Sequence, residues 1–198
     1  MVKISQNKNL NGLILAGGKS SRMGRDKSLI NYHGKPQRDY LIDILAPFCD
    51  QVFISSAKQA NVQPSTIQDH FNLESPLNGI LSAFHFDPFT SWITLPVDMP
   101  NIDSHAVAYL LSHRDKRKTA TCFLDSDGLG PEPLFTVWET KAKPLLFDFF
   151  NNGEFSPKKF LLQNDICLLK APVSTILINV NTEEELQSYL RKSPKNLR

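Results

Sequence analysis

The sequence predicts a single α/β domain, a three-layer α/β/α sandwich with a mostly parallel, Rossmann-like sheet. Three observations lead there. Short apolar runs recur along the chain, the stretches between them carry helical periodicity or turn residues, and no linker long enough to divide two domains intervenes. At 198 residues, 41% of them hydrophobic, the chain can bury an ordinary core without disulfides or a structural metal.

Taken in order, the apolar runs predict strands over residues 11–16, 51–55, 66–68, 92–95, 120–123, 134–137 and 166–169, with a short one at 176–178. Helical periodicity predicts helices over 38–46, 78–86, 104–113, 140–150 and 182–192. Ser104 is the expected N-cap of the third helix. Thr182 followed by Glu183, Glu184 and Glu185 reads as a capping box with acids at the positive end of the helix dipole. The domain is expected to span 11–192, leaving 193–198 as a basic tail that frays. A sheet of this kind places ligands at the carboxyl ends of its strands, beside the reversal of strand order. The loops after the first, third and fourth strands are therefore where function is expected.

Twenty-two Lys and Arg against 20 Asp and Glu give +2, which excludes a protein that coats nucleic acid or an anionic membrane with bulk charge. The distribution is uneven, however. Residues 19–38 hold six cations (Lys19, Arg22, Arg25, Lys27, Lys35 and Arg38) against Asp26 alone, and four more cations follow from Arg191, so the remainder is acidic. A small polyphosphate held at one place fits this pattern; a nucleic acid or a membrane does not. Cys49, Cys122 and Cys167 form no C-x-x-C pair and are read as buried free thiols. With no run long enough for a signal or a membrane span, the expected location is the cytoplasm. The five histidines lack an H-E-x-x-H motif or an i, i+4 pair, so zinc is not expected, while His33 and His70 are expected near the site by their neighbours.

The segment from Leu15 to Lys27 packs three glycines, three small or hydroxyl residues and four cations into thirteen positions. Paired glycines let backbone N–H groups encircle phosphate oxygens, and cations offset polyphosphate charge. It is not a Walker A loop, because Gly18 occupies the place of the required lysine, and it contains no G-x-G-x-x-G. Further along, Thr94-Leu95-Pro96-Val97-Asp98-Met99-Pro100 sets a carboxylate between two prolines that fix its backbone. Asp98 suits a magnesium ion, which bridges phosphates through one or two protein carboxylates and keeps water elsewhere.

The string L-A-G-G-x-S-x-R-M-G-x-D-K resembles the signature of nucleotidyltransferases that activate sugars and cofactors with nucleoside triphosphates, a nucleotide-diphospho-sugar transferase-like fold. Within that superfamily it is most similar to the molybdenum cofactor guanylyltransferases, which join GMP to molybdopterin. The resemblance implies that the backbone of Leu15, Ala16 and Gly17 holds the purine or ribose end of the nucleotide. It implies further that Gly18, Arg22 and Lys27 face the phosphates, with Arg22 and Lys27 catalytic. Asp26 is then an orienter of Lys27 or of the loop. Asp98 matches the Asp of the family's C-D-M-P motif, its metal ligand, with Val97 in place of Cys. Asp69 matches an acid that helps hold the nucleotide. Asn78 and Gly79 belong to a G-P-L-x-G turn that approaches base or sugar, with Ser75 standing where the family has Gly. Ser55 or Ser56 falls where some members place an Asn on the nucleotide. Asn179-Val180-Asn181-Thr182 resembles the family's N-x-N-T-P-E-D-L string: either the two asparagines cap the last helix, or Asn181 reaches the metal and the acceptor phosphate. Pro133-Leu134-Phe135 resembles a P-L-F string near the acceptor. The Phe-rich stretch 147–160 either docks a pterin or partner, or packs as core and lid.

The function that follows is Mg²⁺-dependent transfer of GMP from GTP to a molybdenum-loaded pterin phosphate, with release of pyrophosphate. A second expectation within the superfamily takes CTP as donor or a sugar phosphate as acceptor. One from another class is a nucleotide-binding regulator or cofactor-handing protein, with the Ser75 departure as its support. Transient contacts with other cofactor-biosynthesis proteins are a further expectation of the resemblance.

Overall fold

The computed structural model describes residues 9–16, 26–56 and 65–192. Gly17, Gly18 and Arg22 lie outside the described residues, as does the tail 193–198. The strands are β1 (Leu10–Leu15), β2 (Val52–Ser56), β3 (Thr66–Gln68), β4 (Ser91–Pro96), β5 (Ala120–Leu124), β6 (Pro131–Trp138) and β7 (Ile166–Leu169). The helices are α1 (Gln37–Leu45), α2 (Leu77–Phe86), α3 (Ser104–Ser112), α4 (Ala142–Asn151), α5 (Pro157–Gln163) and α6 (Glu183–Lys192).

Among the described residues the seven strands form one sheet in the order β3-β2-β1-β4-β6-β5-β7. All neighbours are parallel except β6, which runs against both β4 and β5. The chain steps outward from β1 through β2 to β3, then returns to the other side of β1 as β4. The strand order therefore reverses between β1 and β4, the position where an open α/β sheet leaves a crevice at its carboxyl edge.

Alternation along the strands sorts the core into two layers. Leu10 and Ile14 of β1, Ile93 and Leu95 of β4, and Phe135 and Val137 of β6 pack with Leu41, Ile44 and Leu45 of α1 and Ala106, Val107 and Leu110 of α3. Leu13 and Leu15, Trp92 and Trp138 point to the opposite face, against α2, α4 and α5. That is the predicted three-layer sandwich. α6 joins neither layer: Leu186 packs with Ile30, Tyr32 and Val180 in a small separate core, over the segment that follows the glycine-rich loop.

Five expectations need correction. α3 is capped by Asp103, whose Oδ1 accepts from the Ala106 N–H at 2.8 Å, so Ser104 is its first helical residue. Residues 176–178 form no strand; a 3-10 turn, Ser174–Leu177, buries Ile176 and Leu177 instead. α4 begins at Ala142, two residues late, because Thr140 and Lys141 are used in the turn that closes on Glu139 through the Ala142 N–H. α5 is an additional helix, with Ser156 as its N-cap and Pro157 at its first position, a start signal legible in the sequence. Cys49 and Cys122 are buried as expected, but Cys167, on the edge strand β7, is only partly covered.

Candidate active site

The carboxyl ends of β1 and β4 meet in register, Leu15 beside Pro96, and Asp98 follows two residues on. The Asp98 backbone is fixed from the far end of the chain, for its carbonyl accepts from the Val180 N–H at 2.7 Å. His33 closes the same turn from another side, its Nε2 lying 2.8 Å from the Pro100 carbonyl while its ring stacks on Tyr40. Asp98 Oδ1 is buried and has no hydrogen-bond partner among the described residues. A buried carboxylate oxygen is costly to leave unpaired, so this atom is available to an incoming cation. Burial pushes the Asp98 carboxyl above the ordinary carboxylate range, and the nearby Lys27 ammonium pulls it back down.

Lys27 starts the 3-10 turn Lys27–Leu29, which Asp26 caps by accepting from the Ser28 N–H at 2.9 Å. Asp26 is thus an orienter of the loop. The Lys27 Nζ donates to Asn181 Oδ1 at 2.9 Å and approaches the Val180 carbonyl at 3.5 Å. Of the two sequence alternatives for Asn181, the capping role falls instead to Thr182 and Glu185, which start α6, while the Asn181 side-chain oxygen holds the lysine.

On the other side of β1, Ser55 is buried and its Oγ donates to Asp69 Oδ1 at 3.0 Å. Ser56 has a buried hydroxyl with no hydrogen-bond partner among the described residues. Of the two serines offered by the sequence, Ser55 orients Asp69 and Ser56 has the unengaged group. Gly79 is a packing glycine: a Cβ there would stand 2.6 Å from Ser55 Oγ and 2.9 Å from Leu15 Cδ2, so its absence lets α2 close on the ends of β1 and β2. The Asn78 side chain is fully occupied, donating to the Phe71 and Leu73 carbonyls at 2.7 and 3.0 Å and accepting from the Phe71 N–H and Ser82 Oγ at 3.1 and 3.2 Å. It shapes the loop before α2. Leu15 is buried at the end of β1 with Ala16, half-buried, after it.

Ser75 donates to the Phe155 carbonyl at 2.7 Å and accepts from the Leu77 N–H at 3.2 Å. A glycine could do neither. The substitution therefore joins the turn before α2 to the α4–α5 connection. The Phe-rich stretch divides accordingly: Phe149 and Phe160 are core, Phe147 and Phe150 pack on Phe71, and Phe155 is exposed. His70 stacks on His85 with ring centroids 4.2 Å apart.

Glu132 was not foreseen. The antiparallel pairing of β4 with β6 sets the start of β6 beside the end of β4, and the charge of Asp98 acts on Glu132. Glu132 is only 4% exposed, and its Oε1 accepts from the Leu134 N–H at 2.8 Å. Burial pushes its carboxyl up to about 7, with the charges of Asp125 and Asp98 adding to the rise. The available signal was Pro131-Glu132-Pro133, a second carboxylate set between prolines.

No group of three metal-ligating side chains occurs among the described residues. Magnesium does not require one: it takes one or two carboxylates, and the unpartnered Asp98 oxygen fits that demand. Among the described residues no helix is long and apolar enough to cross a membrane.

Comparison with known proteins agrees with this geometry. The MobA-like NTP transferase domain family matches residues 12–166. A molybdenum cofactor guanylyltransferase of Vibrio cholerae is 30% identical over 187 residues, covering 89% of each chain. A molybdenum cofactor biosynthesis bifunctional protein of Synechocystis sp. is 35% identical over 182 residues; the match takes in 89% of this chain and 52% of that longer protein, so the chain spans about half of it. Among solved structures, molybdopterin-guanine dinucleotide biosynthesis protein A of Archaeoglobus fulgidus superposes with a TM-score of 0.75 at 18% identity, over 91% of this chain and 97% of that one. The 2-C-methyl-D-erythritol 4-phosphate cytidylyltransferase of Thermus thermophilus superposes at 0.66 with 9% identity, over 90% and 96% of the respective chains. The two structures share the fold; the family match, together with the crevice that brings Lys27 to Asp98, shows that the chain belongs to the MobA-like NTP transferase domain family of nucleotidyltransferases.

Proposed function

We propose that the chain transfers GMP from Mg²⁺-bound GTP to a molybdenum-loaded molybdopterin phosphate, releasing pyrophosphate. The observation that carries this reading is the Lys27 ammonium acting on Asp98, whose buried Oδ1 has no hydrogen-bond partner among the described residues, at the strand-order reversal. An acceptor phosphate oxygen attacks the α-phosphorus, and the bond from that phosphorus to the oxygen bridging to the β-phosphate breaks. The attacking phosphate is already anionic, so the work falls to position and charge rather than to a strong base. Asp98 would hold the magnesium ion, whose chemistry is to draw charge from the phosphate oxygens. Lys27 sits where charge grows on the departing pyrophosphate, and Arg22, in the loop outside the described residues, would grip two phosphate oxygens with its planar fork. Gly18 would present its backbone N–H to the same phosphates, and the Gly17 backbone would hold the purine or ribose end. Leu15, Ala16, Ser56 and the Ser55-braced Asp69 face the nucleoside side.

Pyrophosphate release from each of the four nucleoside triphosphates with molybdenum-loaded molybdopterin tests this reading. GTP should be preferred, and Asp98→Ala should remove the metal-dependent release. Undiminished release by that variant overturns the reading, and a CTP preference moves the chain to cytidylyl transfer. Equal triphosphate affinity with and without magnesium, with no turnover, would mark a regulator instead. The Ser75 departure does not favour that last outcome, because its hydroxyl has two structural partners.

A further inference from the structure

We infer that Glu185 is a positioning residue for the transfer reaction: its carboxylate fixes the Asn181 backbone so that the Asn181 side chain holds the Lys27 ammonium beside Asp98. This rests on the reading of Lys27 as the cation that follows charge onto the leaving group.

Glu185 Oε2 accepts from two successive backbone N–H groups, Thr182 at 3.1 Å and Asn181 at 2.6 Å. The Thr182 contact, with Thr182 Oγ1 accepting from the Glu185 N–H at 3.2 Å, is the reciprocal pair that starts α6. A helix start needs nothing more. The contact to Asn181 reaches one residue further back, to the residue whose Oδ1 accepts from Lys27 Nζ at 2.9 Å. On its other side Asn181 adjoins Val180, which is 2% exposed and donates its N–H to the Asp98 carbonyl at 2.7 Å. Residues 180 and 181 are therefore clamped between the Asp98 turn and the first turn of α6. Of the neighbouring acids, Glu183 instead accepts from Gln187 Nε2 at 2.9 Å, along the helix.

The chemistry makes the clamp matter. A lysine ammonium is a point charge on a flexible four-carbon stem, so its position is set by whatever accepts from it. A cation that binds the triphosphate equally in ground and transition states lowers KM alone, whereas one placed where charge develops raises kcat. A shift of about 1 Å at such a group can cost on the order of 100-fold in rate. Loss of the Glu185 clamp should accordingly appear in kcat more than in KM.

The experiment measures steady-state pyrophosphate release, with the triphosphate and acceptor the wild-type chain uses, beside the melting temperature of each variant. Glu185→Ala should lower kcat about tenfold or more with a smaller change in KM for the triphosphate. Glu185→Gln keeps an oxygen able to accept from both N–H groups and should recover most of that loss. Thr182→Ala removes the other half of the capping pair but keeps the Asn181 contact; it should lower the melting temperature about as much as Glu185→Ala while kcat stays within about twofold. On a Lys27→Ala background, Glu185→Ala should have no further effect on kcat. If Glu185→Ala and Thr182→Ala behave alike, or if Glu185→Ala slows the Lys27→Ala chain as much as the wild type, Glu185 is a helix cap only and the inference falls. Full turnover by Lys27→Ala alone would overturn the reading of Lys27, and this inference with it.

Discussion

The Lys27 ammonium meets the Asn181 side-chain oxygen at 2.9 Å although 154 positions separate the two residues in sequence. The packing of Leu186 and Val180 on Ile30 and Tyr32 helps bring them together, so the last helix completes a site that begins at the first strand. Asn181→Ala should lower kcat for pyrophosphate release by about 10- to 100-fold, with a smaller rise in KM, because the ammonium loses its acceptor but not its charge. Steady-state kinetics over a triphosphate series checks the split; an unchanged kcat would detach Asn181 from the chemistry.

Glu132 gives a pH-dependent stability. Its carboxyl lies at about 7 in the fold against 4.5 ordinarily, so the folded chain holds a proton that the unfolded chain releases between those values. Stability is therefore unaffected below about pH 4.5, falls as pH rises toward 7, and levels off above, by on the order of 3 kcal/mol for a shift of this size. Glu132→Gln keeps an oxygen for the Leu134 N–H and removes this slope. Urea unfolding in chelator from pH 4.5 to 8 should find the variant increasingly more stable than wild type; parallel curves would contradict the prediction.

Arg114 and Glu139 form a buried bidentate pair at 2.6 and 2.8 Å, with Ser91 Oγ donating to the same carboxylate at 2.8 Å. Their side chains are 8% and 5% exposed. Arg114→Ala strands the Glu139 charge and should cost about 3–5 kcal/mol, or roughly 10 °C in Tm. Replacing both partners with leucine should restore much of it. Ser91 starts β4 and Asp98 follows its end, so turnover per folded molecule should not change.

Gly79→Ala should destabilise by about 1–3 kcal/mol, since the new methyl group has no room beside Ser55 and Leu15. Displacing Ser55 also loosens its hold on Asp69, so KM for the triphosphate should rise alongside the fall in Tm. A KM unchanged from wild type would separate Asp69 from nucleotide binding.

The strands were legible because most are short apolar runs bounded by turn residues, and all seven fall within two or three residues of the expected bounds. Asp98 was legible because two prolines frame it. Glu132 carries a similar frame, but what makes it part of the site is the antiparallel pairing of β6 with β4, a relation between residues 42 to 46 positions apart that local pattern does not contain. The same holds for Lys27 and Asn181. Each was visible as a polar residue in a suggestive string, while their hydrogen bond depends on where α6 packs. The hydrogen bonds that Asn78 and Ser55 make within the protein were not legible for the converse reason: satisfaction is a property of the folded neighbourhood.

The reversed direction of β6 divides the crevice into two kinds of wall. Toward β1, β2 and β3 it is bounded by strand ends, each tied to a helix or loop that the whole parallel sheet depends on. Toward β6 it is bounded by a strand beginning, reached through the 125–130 turn with 126–129 exposed, whose sequence the sheet constrains far less. A fold arranged in this way can keep one side of its crevice invariant while the other drifts, so that changes of partner molecule need touch only a hairpin.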